Sequence, residues 1–438
     1  MHSNQPILVP KAPLKGGAFF IIFPSMKNFV LLILLAVGLV SCNPNRHQTT
    51  SSQAGNPVNY LVVLSMDGFR WDYPDIYRTP NLNLLAKEGV RARSLQPSYP
   101  TKTFPNHYSI ATGLYPDHHG IVQNSFYDPR LNRTFRMGDR SAVQDSIFWE
   151  GEAIWETAAS QGLRCASYFW VGSESNEALR PVYRKYFESG FPFTGQIDTV
   201  MSWLSQPTAT RPHLIMFYFD EPDGVSHDYG PVSDSTRAVV ERLDKLVGKV
   251  LAGLKKVENA QNIRVNFIVL SDHGMGEIPE GNQVFLEDHN DLKRIVRING
   301  GNPVITLEAE PGYEEQAYQL LKKAPHIKTF RKSELPAHYH YGTHPRIPGL
   351  IVEADSAFGL EIRRRAGVKY GGGTHGYDPL NRDMHGIFFA TGPAFKSGWT
   401  QPTFENVSLY SLMAAILGIQ PAKTDGDFNT VKEMLKGY

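Results

Sequence analysis

Aspartate, histidine or both recur at four places in this chain, three of them at the end of an apolar run. Tyr60 to Leu64 leads into Ser65-Met66-Asp67-Gly68, and Leu214 to Phe219 leads into Asp220-Glu221-Pro222-Asp223, with His227 four residues on. Asn266 to Leu270 leads into Ser271-Asp272-His273-Gly274-Met275, and Gly371-Gly372-Gly373-Thr374-His375-Gly376 precedes a fourth apolar run, Gly386 to Ala390. Three Asp (Asp67, Asp223, Asp272) and three His (His227, His273, His375) form a donor set suited to zinc rather than to magnesium or calcium, which prefer oxygen alone. Taken singly, each residue has an ordinary reading as a turn former, a helix cap or a satisfied loop histidine. Their recurrence at successive strand ends is what an ordinary reading leaves unexplained. A further stretch, Pro100-Thr101-Lys102-Thr103-Phe104-Pro105-Asn106-His107-Tyr108, places a hydroxyl just before a predicted helix with Pro105 in its first turn. A helix N-terminus offers unpaired N–H groups to a phosphate, and a nearby metal would supply the alkoxide that threonine alone does not form. The competing role for Thr101 or Thr103 is simply to cap the helix.

The elements that must position these residues are strands alternating with helices. The four apolar runs read as strands buried on both faces, and helices are expected over Thr79 to Gly89, Pro105 to Gly113, Ala153 to Gln161 and Asp234 to Lys256. That alternation predicts an α/β fold with a largely parallel central sheet covered by helices on both faces. Ligands collect at the carboxyl ends of such strands, where three of the clusters fall. The core is expected over residues 59–275 and 366–438. Residues 276–365, with a short helix from Tyr313 to Lys323, read as an inserted smaller subdomain. Its passage from Leu335 to Pro348 holds His338, His340 and His344 beside Tyr339 and Tyr341, which suggests a mobile aromatic loop rimming the cleft, with a third metal site as the alternative. His107, His118 and His119 read as structural.

The bulk composition is that of a globular protein, with 438 residues, 41% hydrophobic and 20% charged. Lys+Arg 44 against Asp+Glu 43 gives a net charge of +1, so no long nucleic acid is expected as a partner and an anionic substrate must be held locally. Residues 1–42 read as an export signal, with a true start at Met26: Met-Lys-Asn precedes an apolar run from Phe29 to Val40 and then Ser41-Cys42. A cysteine in that place resembles a bacterial lipobox, so Cys42 is the expected lipidation site, residues 43–58 a polar tether, and the protein exported and lipid-anchored to a bacterial membrane, periplasmic or at the cell surface. The alternative is an uncleaved membrane helix. With Cys42 lipidated, Cys165 has no partner for a disulfide.

Pro100 to Tyr108, Gly113-Leu114-Tyr115-Pro116 with His119-Gly120-Ile121, Glu221-Pro222-Asp223 to His227, Ser271 to Met275 and Gly373 to Asp378 resemble the nucleotide pyrophosphatase/phosphodiesterase family of the alkaline phosphatase superfamily. The motifs run in family order from about Tyr60 to Phe395. The resemblance implies an alkaline-phosphatase-like fold and two Zn2+. Asp223, His227 and His375 would hold one; Asp67, Asp272 and His273 would hold the other, with Thr103 as the nucleophile bound to it. It also implies that Asn124 and the Phe104 N–H donate to a phosphoryl oxygen, that Phe104 and Tyr186 (rather than Tyr183) sandwich a nucleobase, and that Trp170 and Tyr218 line the pocket. The expected substrate is a small phosphodiester, a nucleotide above all.

Two departures stand out: Ser226 where the family has glycine, and no counterpart of a phosphate-binding lysine, for which Arg136 and Arg140 are the nearby substitutes. Thr103 cannot become the formylglycine of sulfatases. No arginine adjoins it as in alkaline phosphatases, although Lys102 and Arg70 are close in sequence. Phosphomonoesterase or phosphonoacetate-hydrolase-like chemistry remains the alternative reaction, and a lipid-anchored ligand-binding protein the alternative class.

Overall fold

The computed structural model describes residues 59–438. The signal segment, Met26, Cys42 and the tether to residue 58 lie outside the described residues. Among those described, no helix is long and apolar enough to cross a membrane.

Eight strands form the central sheet: β1 (Tyr60–Met66), β2 (Val90–Ala92), β3 (Cys165–Tyr168), β4 (Tyr183–Lys185), β5 (Leu214–Phe219), β6 (Val265–Leu270), β7 (Phe388–Thr391) and β8 (Trp399–Gln401). Their order is β8-β2-β7-β6-β1-β5-β3-β4. β1 sits at the centre, parallel to both neighbours, with Leu61 opposite Leu214 and Asn266. Both faces are covered, which is why these strands are continuous apolar runs. Leu61 and Val63 pack into one core with α2 (Thr103–Thr112), α3 (Ile154–Ser160) and α8 (Leu409–Leu417). Tyr60, Val62 and Leu64 pack into the other with α1 (Pro80–Glu88), α4 (Phe193–Leu204) and α6 (Asp234–Gln261).

α6 shows how the sequence dictates one such layer. Val240, Leu243, Val247, Val250, Leu254 and Val257 are buried at alternating spacings of three and four, which lay a single stripe on the sheet. Ser233 caps its start by accepting from the Thr236 N–H, and Asn262, left-handed at φ 49°, ends it beyond the expected Lys256.

The fourth apolar run forms β7, which is antiparallel to β6 with Phe388 opposite Leu270. Reversal brings the start of β7 to the edge where β1, β5 and β6 end, so the segment preceding it arrives beside their carboxyl ends.

The inserted part is built on its own four-stranded antiparallel sheet, in the order Ile295–Gly301, Val304–Ala309, Leu350–Ala354, Ile327–Arg331. α7 (Glu314–Lys322) packs on it through Ala317, Tyr318 and Leu321. An antiparallel ribbon of Gly276–Ile278 and Gly372–Thr374 draws the two ends of this excursion together.

The histidine-rich passage corrects the expectation of a mobile rim. Tyr339 and Tyr341 are buried, the Tyr339 ring stacks on Tyr99 at 3.9 Å, and the Tyr341 hydroxyl donates to Val122 O. The Asp117 carboxylate accepts from the backbone N–H groups of Gly342, Thr343 and His344. His338 meets Asp378, His340 stacks on Tyr115, and His344 meets Glu150, so the three rings have separate partners and share no metal site.

Candidate active site

The ends of β1 and β6, the helix α5 (Asp223–Tyr229) that follows β5, and the turn after the Gly372–Thr374 strand converge on two donor groups: Asp67, Asp272 and His273, and Asp223, His227 and His375. The His273 and His375 rings stack at 3.6 Å, so the groups are immediate neighbours. Gly68 permits part of this approach. It is left-handed at φ 64°, and a Cβ there would meet Asp223 Cα at 3.0 Å.

Each histidine spends Nδ1 on a backbone carbonyl: His227 on Gly373 O (2.8 Å), His273 on Gly274 O (2.9 Å) and His375 on Thr101 O (2.7 Å). A carbonyl only accepts, so Nδ1 carries the proton and the Nε2 of a neutral ring presents a lone pair. His273 Nε2 lies 3.3 Å from Asp67 Oδ1 and 3.1 Å from Asp272 Oδ2, and the Nε2 atoms of His227 and His375 each lie 3.5 Å from Asp223 Oδ1. Those same three carboxylate oxygens are buried and have no hydrogen-bond partner. Acceptors facing acceptors repel, and a cation between them converts each contact into ligation, so this donor set fits metal at both groups.

The titration behaviour follows from the same crowding. Burial, then the Asp272 and Asp223 carboxylates, holds Asp67 well above the ordinary carboxylate range. Burial holds His375 well below the ordinary histidine range, which keeps the ring neutral.

Thr103 is the first residue of α2 and makes no capping bond, so the competing role as a cap falls away. Its hydroxyl lies 3.3 Å from His273 Nε2. Thr101, two residues earlier, laces two loops together: its Oγ1 donates to Tyr377 O and accepts from Gly376 N–H.

The expected role of the Phe104 N–H is also corrected. It donates to Asn124 Oδ1 at 3.0 Å. Because that bond uses the amide oxygen, the Asn124 NH2 is the part left for a ligand. Among the described residues no hydrogen bond is made by the Thr103 N–H, which is the open backbone donor at this helix end.

A cavity of about 460 Å³ opens beside Thr103, Asp67 and Asp223, walled by Phe104, Phe169, Val171, Phe187 and Tyr218. Phe104 and Tyr218 therefore stand where the sequence put them. Tyr218 also donates its hydroxyl to Asp67 Oδ2 and so holds a member of the donor group. Tyr186 and Trp170 do not line the cavity. Tyr186 is 45% exposed with Arg184 over its ring, and the next residue, Phe187, faces the cavity instead. Trp170 is fully buried, its indole N–H donating to His107 O, while its neighbours Phe169 and Val171 form the wall. Phe169 is left-handed at φ 68°, an uncommon state for an aromatic residue.

Of the two substitute cations, Arg140 lines the cavity, ion-paired with buried Glu174, whereas Arg136 is exposed on a hairpin strand. Arg70 is tied to Asp72, and Lys102 donates to Asn302 O at 2.5 Å. His107 is fully buried, with Nε2 bonded to Ser65 Oγ at 2.9 Å and Nδ1 to Thr103 O at 3.0 Å. Glu174, Asp220 and Phe187 are cavity residues that sequence reasoning did not single out; only Asp220, next to the Glu221-Pro222-Asp223 motif, carried a usable signal.

The family profile described as type I phosphodiesterase / nucleotide pyrophosphatase matches residues 61–378. The venom phosphodiesterase CdcPDE of Crotalus durissus collilineatus is 35% identical over 398 residues, covering 88% of this chain and 48% of its own length. Ectonucleotide pyrophosphatase/phosphodiesterase family member 3 of Bos taurus is 36% identical over 388 residues, covering 86% of this chain and 44% of its own length. The chain thus spans about half the length of these relatives. Among solved structures, murine ectonucleotide pyrophosphatase / phosphodiesterase 5 superposes with TM-score 0.81 at 30% identity, covering 86% of this chain and 100% of that one. An inactive Thr-to-Ala variant of the same murine protein, in complex with AMP, superposes equally well. With the profile spanning most of the sequence and the fold and motifs in agreement, this chain belongs to the type I phosphodiesterase / nucleotide pyrophosphatase family.

Proposed function

We propose that this protein is a two-zinc hydrolase that cleaves phosphodiester or pyrophosphate bonds of nucleotides through a covalent phospho-threonine on Thr103. The observation that carries the reading is the Thr103 hydroxyl at a helix N-terminus, 3.3 Å from His273 Nε2 and beside two converging Asp/His groups. The mixed nitrogen and oxygen donors favour zinc. Asp67, Asp272, His273 and Thr103 would hold one ion, and Asp223, His227 and His375 the other. Bound zinc would supply the positive charge that lowers the hydroxyl pKa and offsets charge on the leaving oxygen.

The chain's own residues do the rest. Thr103 Oγ attacks phosphorus in line, the P–O bond to the leaving group breaks on the side of Asp223, His227 and His375, and a phospho-threonine ester remains. Water then attacks phosphorus from the vacated side and the P–Oγ bond breaks, which restores the hydroxyl. The Thr103 N–H and the Asn124 NH2 hold an equatorial oxygen throughout. Phe104 and Phe187 provide apolar walls for a nucleobase, in keeping with AMP as the ligand of the murine relative. With Arg70, Arg140 and Lys102 paired to Asp72, Glu174 and Asn302 O, no free guanidinium among the described residues stands ready for the second negative charge of a monoester, which favours diesters.

Hydrolysis of p-nitrophenyl thymidine 5′-monophosphate beside p-nitrophenyl phosphate tests the reading, with and without EDTA. Diester preference, lost with EDTA and restored by zinc, supports it; monoester preference, or activity indifferent to metal, refutes it. We further propose export and lipid anchoring through Cys42. Incorporation of labelled palmitate that persists in Cys42→Ala would refute that part.

A further inference from the structure

Glu353 is a carboxylate with no place in the chemistry above, yet it lies 1% exposed between the inserted sheet and the active-site loops. Its Oε2 accepts from the Tyr339 hydroxyl at 2.9 Å, and its Oε1 accepts from the Asp378 backbone N–H at 3.3 Å. Each partner leads directly to the site. The Tyr339 ring lies flat on Tyr99, at 3.9 Å and 17°, and Tyr99 begins the loop Tyr99–Thr103 that delivers the nucleophile. Asp378 closes the loop Thr374–Asp378 that carries His375, and a second tie, His338 Nε2 to Asp378 Oδ1 at 3.0 Å, comes from the same inserted passage.

Between these grips the two loops are laced by Thr101, through Tyr377 O, Gly376 N–H and His375 Nδ1. The remaining groups facing the carboxylate are the Asp378 carboxyl, the buried Tyr99 and Tyr377 hydroxyls, and Lys328, which lies opposite Glu353 on the adjoining strand and is exposed. A charged side chain is placed here at a desolvation cost that an apolar residue would not incur, which a purely packing role does not explain.

We infer that Glu353 is a positioning residue: by accepting one hydrogen bond on each oxygen, it fixes the nucleophile loop against the His375 loop. The inserted subdomain then acts as the brace of the active site, and the His338–Tyr341 passage is the part that reaches it. Burial pushes the Glu353 carboxyl up to about 7, a mark of the same desolvated seam. The inference rests on the proposed roles of Thr103 and His375 and adds a residue that touches neither substrate nor metal.

The test is Glu353→Met in the full chain. Methionine is close to glutamate in length and takes the acceptor from both Tyr339 and the Asp378 N–H, whereas an amide could keep both ties because the Tyr339 hydroxyl also accepts. The expected result is kcat for the nucleotide diester reduced about tenfold, because small misplacement of reacting groups is costly. KM, AMP affinity and zinc content stay at wild-type values, because the cavity walls lie on other elements. Tyr339→Phe, which keeps the ring stack and removes the hydroxyl, should lower kcat likewise, and the double variant should fall less than the product of the two. Should Glu353→Met fail to fold, Tyr339→Phe alone decides. Wild-type kcat in a folded variant overturns the inference, as does a kcat loss matched by loss of zinc or of AMP affinity. A wild-type protein inactive on diesters is a separate failure, of the proposed function, and the inference falls with it.

Discussion

Asn124 offers a substitution pair that separates two jobs of one side chain. Its oxygen holds the Phe104 N–H at 3.0 Å, and its NH2 is proposed to meet the phosphoryl oxygen. Asn124→Asp keeps an oxygen for Phe104 and removes the donor, whereas Asn124→Ala removes both. Loss of a single oxyanion donor costs about 10²–10³ in kcat, roughly 2.7–4 kcal/mol. Alanine also leaves the Phe104 N–H without its partner, a stability loss of about 1 kcal/mol.

Aspartate avoids that loss but sets a carboxylate against an anionic phosphate. Two unit charges about 4 Å apart interact by about 4 kcal/mol at an effective dielectric constant of about 20. Positive charge at the donor groups would offset much of this, and at least one further factor of about 10 in rate should survive. The aspartate variant should therefore be the more stable and the less active of the two. Steady-state hydrolysis of p-nitrophenyl thymidine 5′-monophosphate, with metal content and thermal melting measured on the same samples, gives both rankings. An aspartate variant with near wild-type activity, well above the alanine variant, would show that Asn124 acts only by holding the Phe104 backbone, and the donor assignment would be wrong.

Other outcomes follow from the same geometry. Thr103→Ala should abolish turnover with metal content unchanged, and burst kinetics with trapping of phosphate on the wild-type protein should label Thr103 alone; substantial activity in the alanine variant would rule out the covalent route. Phe187→Ala should raise KM for nucleotide diesters about tenfold with little change for a small aryl diester, on the order of the 1–3 kcal/mol that base–aromatic stacking contributes, whereas Tyr186→Ala should leave KM unchanged; the reverse ranking would restore the sequence-based choice. Removal of metal by EDTA should lower the melting temperature by several degrees, since repelling carboxylates at Asp67, Asp223 and Asp272 lose their counter-charge; calorimetry with zinc added back measures the recovery, and an unchanged melt would argue against resident metal.

The metal-ligand candidates were legible because their chemistry is concentrated where the fold is simplest. β1, β5 and β6 are unbroken apolar runs, and the residue after each is polar for a reason the run itself does not supply. The segment carrying His375 was harder to place, because only the reversed direction of β7 brings it to the same edge. Pocket residues were read less well. Near-extended chain sends neighbouring side chains to opposite sides, so an error of one position exchanges Phe187 for Tyr186. At Trp170 the error is likewise of one position: Trp170 points into the core, and its neighbours Phe169 and Val171 face the cavity. The role of the Phe104 N–H was misread because it depends on an amide twenty residues away. The histidine-rich passage misled through composition alone: its polarity and aromatics suggested exposure, whereas Asp117, Glu353 and Tyr99 bury it.

The three histidines of the donor groups are oriented by the carbonyls of Thr101, Gly274 and Gly373 rather than by acidic side chains. A main-chain oxygen is present whatever residue occupies the position, so ring orientation is shielded from the point changes that would erase a carboxylate partner. Sequence drift around the site can then remodel the pocket, and with it the choice of substrate, while the ring tautomers stay fixed. The vulnerability shifts to backbone path: at Gly373 a Cβ would meet Ser226 O at 2.5 Å, so a change there would displace the oxygen that His227 leans on. Screens for variants with altered specificity should therefore find tolerance along the cavity wall and intolerance at this glycine, which touches no substrate.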